Sequence, residues 1–186
     1  MIALLTIGVL LWTASHYFKR LMPEQRAKLG DPGKGILALG ILASIVLMVI
    51  GYRGADFIPV WNTPGWTVHL NNTLMILALW VYGSSAAKGG KVWPANKIRH
   101  PQLVGFMIWA FSHLLVNGDL ASVILFGGLL AWAAGSVVLI NRAEPEWTPP
   151  GDADRATKIR LFVITLVLYG VISALHIWLG VWPFPV

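Results

Sequence analysis

Apolar residues run through this chain in six long stretches, each separated from the next by a short polar segment. A helix needs roughly 20 apolar residues, within a range of about 17 to 25, to cross the hydrocarbon core of a bilayer. The third and fourth stretches are the shortest in their strictly apolar parts. The pattern predicts about six transmembrane helices, at Ile2–Phe18, Ile36–Tyr52, Trp66–Ala87, Pro101–Asn117, Leu120–Ile140 and Leu161–Val181.

Basic residues fall on alternate connections between these stretches. Of the 14 Lys and Arg residues, thirteen lie in the segments 19–34, 88–99 and 142–160, and only Arg53 lies elsewhere. Basic loops stay on the cytoplasmic side of a membrane. The pattern therefore predicts an even number of spans with both termini on the outer, periplasmic side, whereas a five-span chain would break the alternation.

The composition agrees with a membrane protein and excludes several other classes. Hydrophobic residues make up 56% of the chain and charged residues 12%, which is about half the usual charged share of a soluble domain. The basic residues that give the net charge of +6 mark the loops predicted to be cytoplasmic, and they do not indicate nucleic-acid binding. The expected partner is therefore the lipid bilayer. With no cysteine, the chain has no disulfides and no thiolate ligands. We expect one all-α, polytopic helical bundle over residues 1–186.

Small residues at four-residue spacing mark two faces of the predicted helices. Gly127, Ala131 and Gly135 share one face, and Gly170 and Ala174 share another. Such faces allow helices to approach each other closely in lipid. They predict tight helix packing.

Five histidines are the main candidates for chemistry, because ionisable residues inside a bilayer are costly. His16 and His113 are embedded in apolar sequence, and His176 lies in the outer half of the last span. Neutral imidazole ligates haem iron, zinc and copper. Zinc needs three or four ligands in one place, and the spans contain few carboxylates to complete them. Haem needs one or two axial histidines in an apolar slot, so the composition favours haem over zinc.

Helix geometry limits which histidines can act together. His100 opens the fourth span and His113 lies thirteen residues further on, about 20 Å along a helix, so the two cannot bind one iron. Trp109 and Phe106 share a helix face with His113 and form either core packing or a wall for a planar ligand.

Depth in the membrane leaves two groupings open. His16 and His100 both lie near the inner face and form one possible pair. The other possibility is an outer group of His113, His176 and His69.

The segment Arg99-His100-Pro101-Gln102-Leu103-Val104-Gly105, with His113 and Asn117-Gly118-Asp119 downstream, resembles the signature of the NnrU family. Further matches at 15–20, 69–72 and 175–180 extend the resemblance over essentially the whole chain. The family is associated with nitrite and nitric oxide reductase regulation. The resemblance implies a bacterial inner-membrane protein that supports denitrification, with nitrite or nitric oxide reductase components as partners.

The family also includes the plant zeta-carotene isomerase, which uses haem b to isomerise a cis double bond in a carotenoid. This resemblance implies haem b as cofactor and His16 and His113 as its ligands, although their estimated depths differ by about 10 Å. His100 and His176 are the substitute ligands. Trp109 and Arg99 complete the expected cofactor-binding set. Ala110 stands where the isomerase has a ligand-exchanging cysteine, so that exchange does not carry over.

Two other functions are compatible with the sequence. The chain is either a non-enzymatic accessory factor for denitrification complexes or an S-adenosylmethionine-dependent lipid or isoprenylcysteine-type methyltransferase, since such enzymes carry a similar RHP-x-x-x-G segment. The methyltransferase interpretation is weakened because Pro145 separates Glu144 from Glu146 and a further span follows. Pro101 in a first helical turn and Arg99 at the interface also explain the segment without any ligand.

Overall fold

The computed structural model describes residues 1–185. Within them 70% of the chain is helical and there is no β-strand, which confirms the all-α prediction. The elements are α1 (Ile2–Leu21), α2 (Pro23–Lys28), α3 (Pro32–Arg53), α4 (Thr67–Gly83), α5 (Pro101–Val116), α6 (Leu120–Ser122), a π-helical turn (Val123–Gly127), α7 (Gly128–Ala143) and α8 (Arg155–Trp178).

Each of the six predicted spans contains a helix, but the helices differ in length. Four segments are long and apolar enough to cross a membrane, as expected of an integral membrane protein. The 16 residues of α5 extend about 24 Å and the 17 residues of α4 about 26 Å, against a hydrocarbon core of about 30 Å. The count of six spans therefore stays a prediction. The four long segments are Ile2–Leu21, Pro32–Arg53, Leu120–Ala143 and Arg155–Trp178.

The chain folds as two compact units. Unit 1 consists of residues 1–62 and 117–143, and unit 2 consists of residues 63–116 and the chain from Glu144 onward. The expected single domain over 1–186 stays a prediction, and the units are described in turn.

In unit 1, α1 and α3 pack closely through glycines. A Cβ atom on Gly51 would lie 2.5 Å from the backbone nitrogen of Leu5, and one on Gly8 would lie 2.8 Å from that of Met48. Because the partner numbers fall along α3 as they rise along α1, the two helices are antiparallel. Backbone contact of this kind is how apolar helices gain dispersion energy in lipid.

A buried carboxylate begins the continuous helix of α6, the π-helical turn and α7. Asp119 accepts hydrogen bonds from the backbone nitrogen of Ser122 at 3.1 Å and from its hydroxyl at 2.5 Å. The Tyr52 hydroxyl lies 2.9 Å from the Ser122 hydroxyl. Since a carboxylate only accepts, Ser122 donates to Asp119 and Tyr52 donates to Ser122. The Tyr52 ring meets the Phe126 ring edge-on at 6.0 Å.

In unit 2, α4 packs against both α5 and α8. A Cβ atom on Gly105 would lie 2.7 Å from the backbone nitrogen of Tyr82 and 2.8 Å from the carbonyl oxygen of Ala78. A Cβ atom on Gly83 would lie 2.8 Å from the Leu161 side chain. Among the described residues, α5 and α8 make no comparably extended backbone contact with each other. Helix α4 therefore holds the other two in place.

Two connections of unit 2 are joined by backbone hydrogen bonds. The Lys91 nitrogen donates to the Gly151 oxygen at 2.7 Å, and the Lys91 oxygen accepts from the Ala153 nitrogen at 3.0 Å. Val92, Ala153 and Leu161 form a small buried cluster beside this bridge. The bridge ties the segment after α4 to the segment before α8.

The predicted small-residue packing faces are wrong at most of their positions. A Cβ atom on Gly127 or Gly170 would meet nothing within 4 Å, and Ala131 and Ala174 are exposed. Only Gly135 closely approaches another helix, at the Tyr17 hydroxyl. Four-residue spacing allows close approach but does not distinguish a packed face from a lipid-facing one.

Candidate functional site

Three histidines in the apolar helices make the same local hydrogen bond. Their Nδ1 atoms lie 2.8 Å, 2.9 Å and 2.8 Å from the carbonyl oxygens four residues earlier, for His16, His113 and His176 respectively. A carbonyl oxygen only accepts, so in the neutral rings Nδ1 carries the proton and Nε2 carries the lone pair. This is how a protein usually fixes the tautomer of a metal-binding imidazole.

Two of these histidines meet inside unit 2. The ring centroids of His113 on α5 and His176 on α8 lie 6.5 Å apart, with 39° between the ring planes. Both side chains are partly buried. The structure thus brings together two members of the expected outer group.

Aromatic side chains extend from His113 along α5. The Trp109 ring lies 5.1 Å from the His113 ring, and the Phe106 ring lies 4.9 Å from the Trp109 ring. The Trp109 carbonyl oxygen is also the acceptor for His113 Nδ1. The predicted stripe of Phe106, Trp109 and His113 therefore exists as a row of contacting rings.

His16 has a separate aromatic environment in unit 1. Its ring lies 4.1 Å from the Trp12 ring and 4.9 Å from the Trp132 ring. The Trp132 carbonyl oxygen accepts a hydrogen bond from the Tyr17 hydroxyl at 2.7 Å. The Trp12 indole nitrogen is buried and has no hydrogen-bond partner, so this cluster retains an unused donor beside an imidazole.

Sequence reasoning missed Trp12 and Trp132 as neighbours of His16. A signal for Trp12 is present, because Trp12 precedes His16 by four residues just as Trp109 precedes His113. In both cases the tryptophan supplies the carbonyl acceptor and the adjacent ring. Trp132 comes from a distant helix, and no local pattern points to it.

The remaining predicted site residues lie at the start of α5 or on α4. The Arg99 guanidinium lies 3.4 Å from the Pro145 carbonyl oxygen. The His100 carbonyl oxygen accepts from the Val104 nitrogen at 2.9 Å and so begins the helix. His69 is exposed in the first turn of α4.

The donor set of the membrane histidines fits haem. In the part of the chain that the structure describes, no group of three or more His, Cys, Asp or Glu side chains could hold a metal ion. A bare zinc ion needs three or four such ligands. A porphyrin supplies four nitrogens to its iron, so two imidazoles complete the coordination.

Comparison with models of protein families identifies the family of this chain. A family model described as NnrU protein matches residues 4–183, which is nearly the whole chain. Comparison with curated proteins found no match, and comparison with solved structures found none.

Proposed function

This chain belongs to the NnrU family, and from this premise we propose that it is a haem b-binding protein of the bacterial inner membrane that supports nitrite and nitric oxide respiration. The observation that carries the proposal is the shared tautomer of His16, His113 and His176. Each presents an unprotonated Nε2 from an apolar helix. A haem bound by these histidines would supply electron-transfer chemistry to nitrogen-oxide respiration, or the iron for a haem-dependent cis-trans isomerisation of a lipophilic polyene.

The protein's own residues contribute binding and orientation. His113 belongs to both candidate ligand pairs, with His16 as second ligand by family resemblance and His176 by proximity. Trp109 holds the His113 ring by its carbonyl oxygen and flanks it by its indole. Apolar helices would exclude water from such a site, so that water would not compete with the imidazoles for the iron.

Haem binding is tested by expression with haem supplied, purification in detergent and absorption spectroscopy. The proposal predicts a Soret band with near-stoichiometric haem. The triple variant His16→Ala, His113→Ala and His176→Ala should lose it, whereas His69→Ala should keep it. Absence of the band from the wild-type protein, or its survival in the triple variant, contradicts the proposal.

The proposed topology has six spans with both termini in the periplasm. Because the chain has no cysteine, single cysteines report the side of each connection without a background signal. Lys28→Cys and Lys88→Cys should resist a membrane-impermeant maleimide in intact cells, and Gly65→Cys should react. Reaction of either lysine position would refute the arrangement.

A non-enzymatic accessory role predicts a different result from the same variants. Deletion of the gene should lower nitric oxide reductase activity in either case. If haem is required, the triple histidine variant should insert stably and fail to restore the activity. Full restoration by that variant would favour a scaffold that assembles reductase components, and co-purification of those components would support it.

A further inference from the structure

Resting on the proposed function, we infer that Tyr17 is a positioning residue for the candidate haem ligand His16. The Tyr17 hydroxyl ties α7 to α1 next to His16 and thereby holds the Trp132 ring against the imidazole. All of these residues belong to unit 1. Tyr17 therefore acts on the cofactor site through Trp132, and the imidazole is already oriented before a cofactor binds.

The His16 ring contacts two indole rings that come from different helices. The ring centroid of Trp12 on α1 lies 4.1 Å away, with 35° between the ring planes. The ring centroid of Trp132 on α7 lies 4.9 Å away at 66°, which is an edge-on contact. The two indoles also meet each other edge-on at 5.2 Å. Such edge-to-face pairs are favourable at these separations. Because Trp12 shares the helix of His16, only the Trp132 contact depends on the position of α7.

Two hydroxyl groups converge on the backbone of Trp132. The Tyr17 hydroxyl donates to the Trp132 carbonyl oxygen at 2.7 Å, and the Ser136 hydroxyl donates to the same oxygen at 2.9 Å. Tyr17 comes from α1, whereas Ser136 lies on the same helix as Trp132. Of the two hydrogen bonds, the one from Tyr17 therefore joins the helices, and hydrogen bonds between helices stabilise their association in lipid.

The close approach of Tyr17 to α7 depends on a glycine. A Cβ atom on Gly135 would collide with the Tyr17 hydroxyl. Gly135 follows Trp132 by three residues and so lies about one helical turn further along α7. The bare backbone at this position leaves room for the hydroxyl to reach the carbonyl oxygen. The hydrogen bond can therefore be removed from either helix.

A second close contact between α1 and α7 lies away from His16. A Cβ atom on Gly128 would lie 2.7 Å from the Val9 side chain. The contact at Tyr17 lies eight residues later in α1 and seven residues later in α7, so the two helices are parallel. Eight residues extend about 12 Å along a helix. Substitution at Gly128 therefore disturbs the packing of α1 on α7 without touching the Tyr17 hydrogen bond, which provides a matched control.

The first readout is the His16 ring in the full-length protein, in detergent and without haem. Proton resonances of the imidazole are recorded by nuclear magnetic resonance and assigned by their loss in His16→Gln. Tyr17→Phe removes the hydroxyl but keeps the ring, so the Trp132 ring should move and its ring current should no longer shift the His16 resonances. Gly128→Ala should leave those resonances in place, because the Val9 side chain can turn away.

The second readout is the affinity for haem, measured by titration of the same proteins and followed at the Soret band. An imidazole that Trp132 no longer holds has to be ordered when the ligand binds, and this ordering weakens binding. Tyr17→Phe should therefore bind haem roughly two- to tenfold more weakly than the wild type. Gly128→Ala should bind haem with the wild-type affinity.

A second variant reaches the same hydrogen bond from the other helix. Gly135→Ala should displace the Tyr17 hydroxyl and reproduce both effects of Tyr17→Phe. The double variant should bind haem no more weakly than Gly135→Ala alone, because the phenylalanine side chain lacks the hydroxyl that the added methyl group meets. Circular dichroism and a single elution peak check the fold of each variant.

The outcomes separate the role of Tyr17 from haem binding itself. A wild-type protein without haem overturns the proposed function and, with it, the role of Tyr17. If the wild type binds haem, unchanged His16 resonances or unchanged haem affinity in both Tyr17→Phe and Gly135→Ala overturn the positioning role alone. Equal effects in Gly128→Ala also overturn it, because any loosening of α1 from α7 would then be sufficient.

Discussion

Gly105, the glycine of the RHP-x-x-x-G segment, gives a sharp test of how α5 is positioned. Replacement by alanine adds one methyl group where α5 passes α4. That Cβ atom would lie 2.7 Å from the Tyr82 nitrogen and 2.8 Å from the Ala78 oxygen. Both neighbours are backbone atoms, so a side-chain rotation cannot relieve the clash and the helices must move apart.

The magnitude follows from two opposing effects. Overpacking a close contact usually costs about 1–3 kcal/mol. Alanine also favours a helix over glycine by about 1 kcal/mol. Gly170→Ala in α8 is the matched control, because a Cβ atom there meets nothing within 4 Å. The difference between the two variants cancels the helix preference, so Gly105→Ala should be less stable than Gly170→Ala by about 1–3 kcal/mol.

The assay is equilibrium unfolding in mixed detergent micelles, followed by the helical circular dichroism signal. Gly170→Ala should match or slightly exceed the wild-type free energy of unfolding, and Gly105→Ala should fall below both. Equal stability of the two variants would refute the close contact between α4 and α5. It would also remove the packing explanation for this glycine.

Three further substitutions test local contacts. Tyr52→Phe removes the hydroxyl that donates to Ser122 and should lower the free energy of unfolding by about 0.5–1.5 kcal/mol in the same micelle assay. The Thr157 backbone N–H, which hydrogen bonds with Asp154, lowers the pKa of that carboxyl. The hydrogen bond of the Asp154 carboxylate therefore stabilises the start of α8 fully above the unfolded-state pKa of Asp154, and this stabilisation is lost as the pH falls through the lowered pKa of the folded state. Asp154→Ala should therefore speed amide exchange of Thr157 at neutral pH, but should have no such effect at a pH below the lowered pKa. Gly90→Ala places a Cβ atom against the carbonyl of the facing connection and should increase proteolysis there, whereas Gly89 is an unsuitable control because its φ is positive.

The helices could be predicted from the sequence because apolar length is a local property. Every predicted stretch contains a helix, including the short ones that became α4 and α5. Close packing could not be predicted in the same way. Gly51 and Gly105 meet backbone atoms of another helix, whereas Gly127 and Gly170 meet nothing, although all are glycines in apolar helices. The distinction depends on which side of each helix faces a neighbour.

The candidate site shows the same division between local and non-local information. Trp109 and His113 are four residues apart, so their contact follows from helix geometry. The approach of His113 to His176 depends on two helices that are distant in sequence and are both packed on α4. Depth in the membrane placed these two histidines in one group but could not determine which way each side chain points.

Direction around the helix axis is therefore the information that decides which side chains of α5 and α8 meet. Residues 161, 165, 173 and 176 lie on one side of α8, and the first three are buried. Gly83 of α4 contacts Leu161 on this side of α8, and this contact fixes the rotation of α8. The same helix fixes α5 through Gly105. His113 and His176 consequently meet because two close contacts on α4 set the rotation of both helices, and a change at either contact should alter the distance between the two rings.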